Sequence, residues 1–103
     1  MIGFFMLTIK ELPFESIQIY PSSSFDGREI LFRVHHHDYQ FLIGNSTHPF
    51  PLGVKHFFKE KDVCPFCHKL IYAVPLGQQL CLEFQKNLPA LLQYFQEEYS
   101  DAF

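Results

Sequence analysis

The chain has 103 residues, enough for one ordinary domain and too few to divide into two cores. Apolar residues make up 48% and aromatics 17%, with Phe contributing 13 positions, a supply that excludes a disordered polymer. The net charge is −3 and neither half is basic, so no nucleic-acid partner is expected.

The opening run, Met1 to Ile9, is apolar but lacks a basic leader and a small-residue cleavage site. Lys10 and Glu11 stop it well short of a membrane span, so residues 2–9 are expected to form a first strand. Three cysteines, an odd number, argue against a secreted disulfide scaffold, and the expected location is the cytoplasm. Residues 16–20 read as a second short strand, joined to the first near Pro13. Residues 21–27 form a loop by composition, with Asp26-Gly27 a turn signal.

Residues 28–44 carry the clearest hairpin pattern. A turn at His37-Asp38 sets Val34 opposite Phe41 and Phe32 opposite Ile43. Ile30, Phe32, Val34, Tyr39, Phe41 and Ile43 then share one apolar face. Residues 45–51 are a polar, proline-containing loop. From Leu52 to Lys61, Val54, Phe57 and Phe58 recur at helical spacing and predict a short helix or turn. Residues 69–74 and 79–84 predict a second hairpin around Pro75-Leu76-Gly77-Gln78. Asn87 then stands as N-cap of a last helix, with Pro89 in its first turn and Leu88, Leu91, Leu92, Phe95 and Tyr99 on one face. The sum is a single globular α+β domain over residues 1–103. It is a small antiparallel sheet of two hairpins plus an N-terminal strand, covered by a C-terminal helix.

The chemically potent stretch is Cys64-Pro65-Phe66-Cys67-His68. A C-P-x-C order suits a metal knuckle, because Pro65 fixes one turn dihedral and keeps the two thiolates converging. Residues 62–74 resemble the first half of a zinc ribbon, a knuckle followed by a strand. Ribbon knuckles commonly carry Gly after the second cysteine, where a left-handed backbone is wanted. Here His68 occupies that place, and His tolerates the region better than most residues.

A closed zinc site needs four ligands. On the expected hairpin, Cys81 lies opposite Tyr72 or Ala73, about 16–20 Å from Cys67 at ~3.3 Å per residue. Histidines complete the set better, His56 on the expected helix and His48 in the loop before it. The expected metal ligands are therefore Cys64, Cys67, His56 and His48, with zinc as the cofactor. Two reduced structural cysteines without metal fit the same residues.

Two other readings use the same motif. Cys64, Cys67 and His68 match the string for c-type haem attachment. Cys-Pro-Phe-Cys also resembles the active-site frame of glutaredoxins and thioredoxin-like proteins, although only 36 residues follow it, too few for that fold. A redox-active thiol or haem protein is thus the alternative function. His35, His36 and His37 alternate faces and are expected at a solvated hairpin tip rather than in a site. No nucleophile has a partner fixed by spacing, and no phosphate loop or paired-carboxylate motif occurs, so nothing specific supports an enzyme. Phe50, between two prolines, is a candidate anchor for a partner. The favoured function is a small non-enzymatic binding or regulatory protein. It acts through a protein–protein interface and is braced at Cys64 and Cys67 by a zinc knuckle.

Overall fold

Alternation of buried and half-exposed side chains from Gly27 to Gly44 builds the centre of the sheet. In the computed structural model, which describes residues 8–103, β2 (Gly27–Val34) and β3 (His37–Gly44) form this antiparallel pair. Ile30, Phe32, Val34, Tyr39, Phe41 and Ile43 are all fully buried, as the shared face requires. The turn lies two residues earlier than the pattern predicts. His35 and His36 take left-handed backbones, φ 50° and 69°, and Val34 pairs with His37. Positive φ at both central residues matches the twist of the flanking strands. The partner of Val34 moves from residue 41 to 37, an even shift, so every side chain keeps its face.

β1 (Glu15–Pro21) pairs with β2, and β4 (Phe50–His56) pairs with β3, giving the order β1-β2-β3-β4. The expected helix over residues 52–61 is therefore a strand followed by a loop. The pattern misled because the buried positions are Val54, His56 and Phe58, a period of two with a histidine in the middle. Opposite Leu42 and Ile43, β4 offers Gly53 and Pro51, so Leu52 is an extra residue in a bulge. Pro51 has no N–H to give the ladder, which favours irregular pairing there.

The second hairpin exists, but its partners differ. β5 (Asp62–Val63) pairs with β6 (Leu70–Ile71) across the cysteine motif, and residues 79–84 take no part. Instead, Leu80 makes a single bridge to Lys55 of β4, and α1 (Leu82–Gln85) follows at once. The expected first strand over residues 2–9 lies mostly outside the described residues, and its end, Ile9, opens a 3-10 turn to Glu11. No helix among the described residues is long and apolar enough to cross a membrane.

α2 (Leu88–Glu98) covers the sheet as the spacing predicts, burying Leu88, Leu91, Leu92 and Phe95. Asn87 stands before it, but its side chain donates to the Glu83 carbonyl at 3.0 Å rather than capping α2. Tyr99 ends the helix and stays partly exposed, outside the buried stripe. Phe95 packs its ring 5.7 Å from Phe32, 5.4 Å from Phe14 and 6.2 Å from Phe41. Burying such a ring stabilises by about 1.5–3 kcal/mol in transfer alone. Truncating Phe95 to Ala also leaves a cavity, so the expected loss is about 3–5 kcal/mol in a urea or guanidinium titration. Glu97→Gln with Glu98→Gln on the exposed face is expected to change stability by less than about 1 kcal/mol in the same assay.

Candidate metal centre

Three chain segments meet at the tip end of the sheet, and each delivers ligand atoms. His56 is the last residue of β4, Cys64 and Cys67 sit in the turn between β5 and β6, and Cys81 immediately precedes α1. One ligand atom from each of these four residues lies within 4.8 Å of the other three. The group is close enough to hold a metal ion.

The turn holding the cysteine pair is set by backbone hydrogen bonds. The Cys64 N–H donates to the Lys69 carbonyl at 2.9 Å, and the His68 N–H donates to the Cys64 carbonyl at 2.9 Å. His68 takes the left-handed conformation expected after the second cysteine, φ 62°. The Phe66 N–H points at Cys64 Sγ at 3.4 Å. The knuckle geometry is present.

Cys81 arrives by a route that the sequence pattern did not reveal. The segment before α1 runs along the free edge of β4. The His56 N–H donates to the Gln79 carbonyl at 3.1 Å, and the Cys81 N–H donates to the Val54 carbonyl at 2.8 Å. This places Cys81 Sγ 4.0 Å from Cys64 Sγ, overturning the expected separation of Cys81 from the knuckle. The cause is the misplaced hairpin: residues 79–81 pair with β4 rather than with residues 69–74. The one available hint was the unpaired third cysteine in a chain that already has a two-thiol knuckle.

His56 is fully buried, and its ring is oriented from both sides. Nδ1 lies 2.7 Å from the Gln79 carbonyl oxygen, which can only accept, so Nδ1 carries the proton. Nε2 is then left with its lone pair facing Cys67 Sγ at 3.4 Å. A histidine whose distal nitrogen is fixed by a carbonyl and whose near nitrogen faces thiols is set up as a ligand. His48, the other expected ligand, does not join the group. It is exposed in the loop before Phe50, at the opposite end of β4, about 20 Å of extended strand away at ~3.3 Å per residue.

The sulfurs strongly perturb one another. A hydrogen bond from the Cys81 thiol holds Cys64 well below the usual thiol range, helped by His56, the Cys67 backbone and Tyr39 and opposed by burial. The same contact with Cys64 pushes Cys81 up, with burial adding to it and the Phe84 backbone opposing. Burial pushes Cys67 up, opposed by the Lys69 backbone. The Tyr39 hydroxyl lies 3.2 Å from Cys64 Sγ, and burial pushes its own pKa up. Three thiols crowded in an apolar site can sustain little negative charge unless a cation shares it.

The histidine run lies elsewhere. His37 stacks on Phe58, ring centroids 4.1 Å apart, with Nε2 2.9 Å from Asp62 Oδ2. His35 packs near Phe66, ring centroids 5.5 Å apart. These contacts support the knuckle from outside and contribute no ligand atom to the group.

Comparison with protein-family models, curated proteins and solved structures gives no match to this chain. The cluster therefore stands on its own geometry.

Losing an outer hydrogen-bond partner of a metal ligand typically costs 10–100-fold in affinity, so losing a ligand costs more. Cys81→Ser and His56→Ala are each expected to weaken metal binding by more than about tenfold. His48→Ala is expected to leave binding unchanged. Competition against a chromophoric chelator measures all three.

Proposed function

We propose that this chain is a small non-enzymatic binding protein that acts through a protein interface. One zinc ion, held by Cys64, Cys67, Cys81 and His56, braces its knuckle. The observation that carries the proposal is the convergence of three thiols on an imidazole whose tautomer is already fixed by the Gln79 carbonyl.

The donor set and the dimensions both favour zinc. Three sulfurs and one imidazole nitrogen are a standard structural zinc set, and the group contains no carboxylate of the kind a hard cation takes. With Zn–S bonds of ~2.3 Å, the edges of a tetrahedron are about 3.8 Å. The Cys64–Cys81 edge is 4.0 Å and the Cys67–His56 edge is 3.4 Å. Three thiolates and a neutral imidazole around a divalent ion leave one net negative charge. The Phe66 N–H and the Tyr39 hydroxyl lie against Cys64 Sγ to offset it.

All four positions are filled by protein, which points to structure rather than catalysis. The haem alternative fits less well. Cys64 is fully buried beside Tyr39, out of reach of a haem vinyl group, whereas His68 is exposed. A thiol exchange role also needs an accessible thiolate; Cys64 and Cys81 are fully buried, and Cys67, the partly exposed thiol, is pushed up by burial away from the thiolate form.

β5 and β6 contain two residues each, too few to hold together unaided. Metal removal is therefore expected to loosen residues 57–81 before the sheet opens. Elemental analysis of untagged protein purified without chelator is expected to give one zinc per chain. Chelation is expected to lower the melting temperature and to speed amide exchange in residues 57–81 more than in β2 and β3. Protein that contains no metal and takes up none on reconstitution would overturn the zinc assignment.

A further inference from the structure

The β5–β6 hairpin has two faces, and the metal group uses one. Asp62 pairs with Ile71, and Val63 pairs with Leu70. Ile71 is fully buried under the hairpin, whereas Val63 and Leu70 are 50% and 49% exposed on its outer side. Tyr72 lies two residues beyond Leu70 and shares that side, 52% exposed. The next turn folds back on the Tyr72 backbone so closely that a Cβ on Gly77 would collide with the Tyr72 carbonyl. This turn carries Leu76, 83% exposed. Four large apolar side chains thus stand open within fourteen residues.

Charge distinguishes this strip from an ordinary surface. The Lys61 ammonium lies over the Tyr72 ring, 5.6 Å from its centroid, on the apolar side. Asp62 turns to the opposite face, where it meets His37. Between residues 55 and 72 four lysines stand against two carboxylates, whereas the rest of the chain has four bases and nine carboxylates. Of these lysines, Lys55 lies on β4 and Lys59 stands 3.7 Å from Asp38, whereas Lys61 is placed on the strip itself.

We propose that the outer face of the β5–β6 hairpin, formed by Val63, Leu70, Tyr72 and Leu76 with Lys61, docks a protein segment bearing an aromatic or aliphatic anchor flanked by carboxylates. This deepens the binding-protein reading above and rests on it for the bracing of the hairpin. The metal-bearing turn fixes the register of the strip, so little ordering remains to oppose docking. Apolar anchors fill the space between Leu70, Tyr72 and Leu76, and a carboxylate meets Lys61 at the rim. A second copy is disfavoured as occupant, because two such strips face to face bring the Lys61 ammonium of each together beside the apolar side chains.

The test is selection of a phage-displayed random dodecapeptide library on the immobilised, zinc-loaded full chain. Recovered peptides are synthesised and titrated by fluorescence polarisation. Enriched peptides are expected to combine Phe, Leu or Trp with Asp or Glu. Tyr72→Ser and Lys61→Glu are each expected to weaken their binding tenfold or more, with zinc content and circular dichroism unchanged. Gln93→Ala, on the exposed side of α2, is expected to have no effect. Enrichment of no such peptides, or equal binding to the Tyr72→Ser protein, would overturn the proposal. So would self-association that Tyr72→Ser abolishes, or Lys61-dependent binding of random-sequence RNA or phosphatidylserine vesicles in place of the peptides. Peptide binding that depends on Tyr72 in a protein shown to carry no zinc would sustain the surface and remove the zinc brace.

Discussion

The edge of β4 between Val54 and His56 is the constraint on which the rest depends. Two backbone hydrogen bonds tie residues 79–81 to that edge, and they bring Cys81 to the knuckle. A third contact, from His56 Nδ1 to the Gln79 carbonyl, uses the same segment to fix the imidazole. One short stretch of pairing therefore sets a thiol in place and orients a histidine. It also covers a sheet edge that would otherwise present unpaired backbone groups. α1 begins immediately after it and leads the chain toward α2 and the far side of the core.

Tyr39 joins this arrangement to the hydrophobic interior. Its ring lies 5.3–5.8 Å from those of Phe32, Phe58, Phe66, Phe84 and His56, and its hydroxyl reaches Cys64. A phenol suits the position because its body packs among aromatics while its tip meets a sulfur. Phe32, Phe41, Phe58, Phe66, Phe84 and Phe95 are buried in the same core, with Phe14 and Phe103 packed against it, as an aromatic layer between sheet, helix and knuckle. The cysteine group is thus a polar inclusion in the main core rather than a separate lobe. A cluster of thiols and imidazole enclosed by rings has few ways to satisfy itself, and its four ligand atoms lie close enough to hold a metal ion.

The exposed side of the knuckle hairpin has the opposite character. Where the inner side is closed by Ile71 and the ligand atoms, the outer side leaves Val63, Leu70 and Tyr72 open beside Lys61. An apolar strip on so small a hairpin is unfavourable unless it is either held rigid or covered. In the proposed reading, the inner group would supply the first and a docked segment the second.

By itself the sequence determined whatever depends on neighbouring residues. The apolar face of β2 and β3 followed from alternation, and it survived a misplaced turn because the pairing slipped by an even number of residues. α2 followed from the spacing of Leu88, Leu91, Leu92 and Phe95, and the bend after Cys67 followed from C-P-x-C with His68 in the left-handed position. Only the tertiary structure decided β4, because a buried histidine interrupts its apolar alternation and makes Val54, Phe57 and Phe58 look helical. Only it decided that Cys81 and not His48 stands with the knuckle. Local patterns specify which face a side chain takes. They do not specify which distant edge a two- or three-residue segment will pair with, because such short pairings carry little sequence signal and are chosen by how the whole core closes.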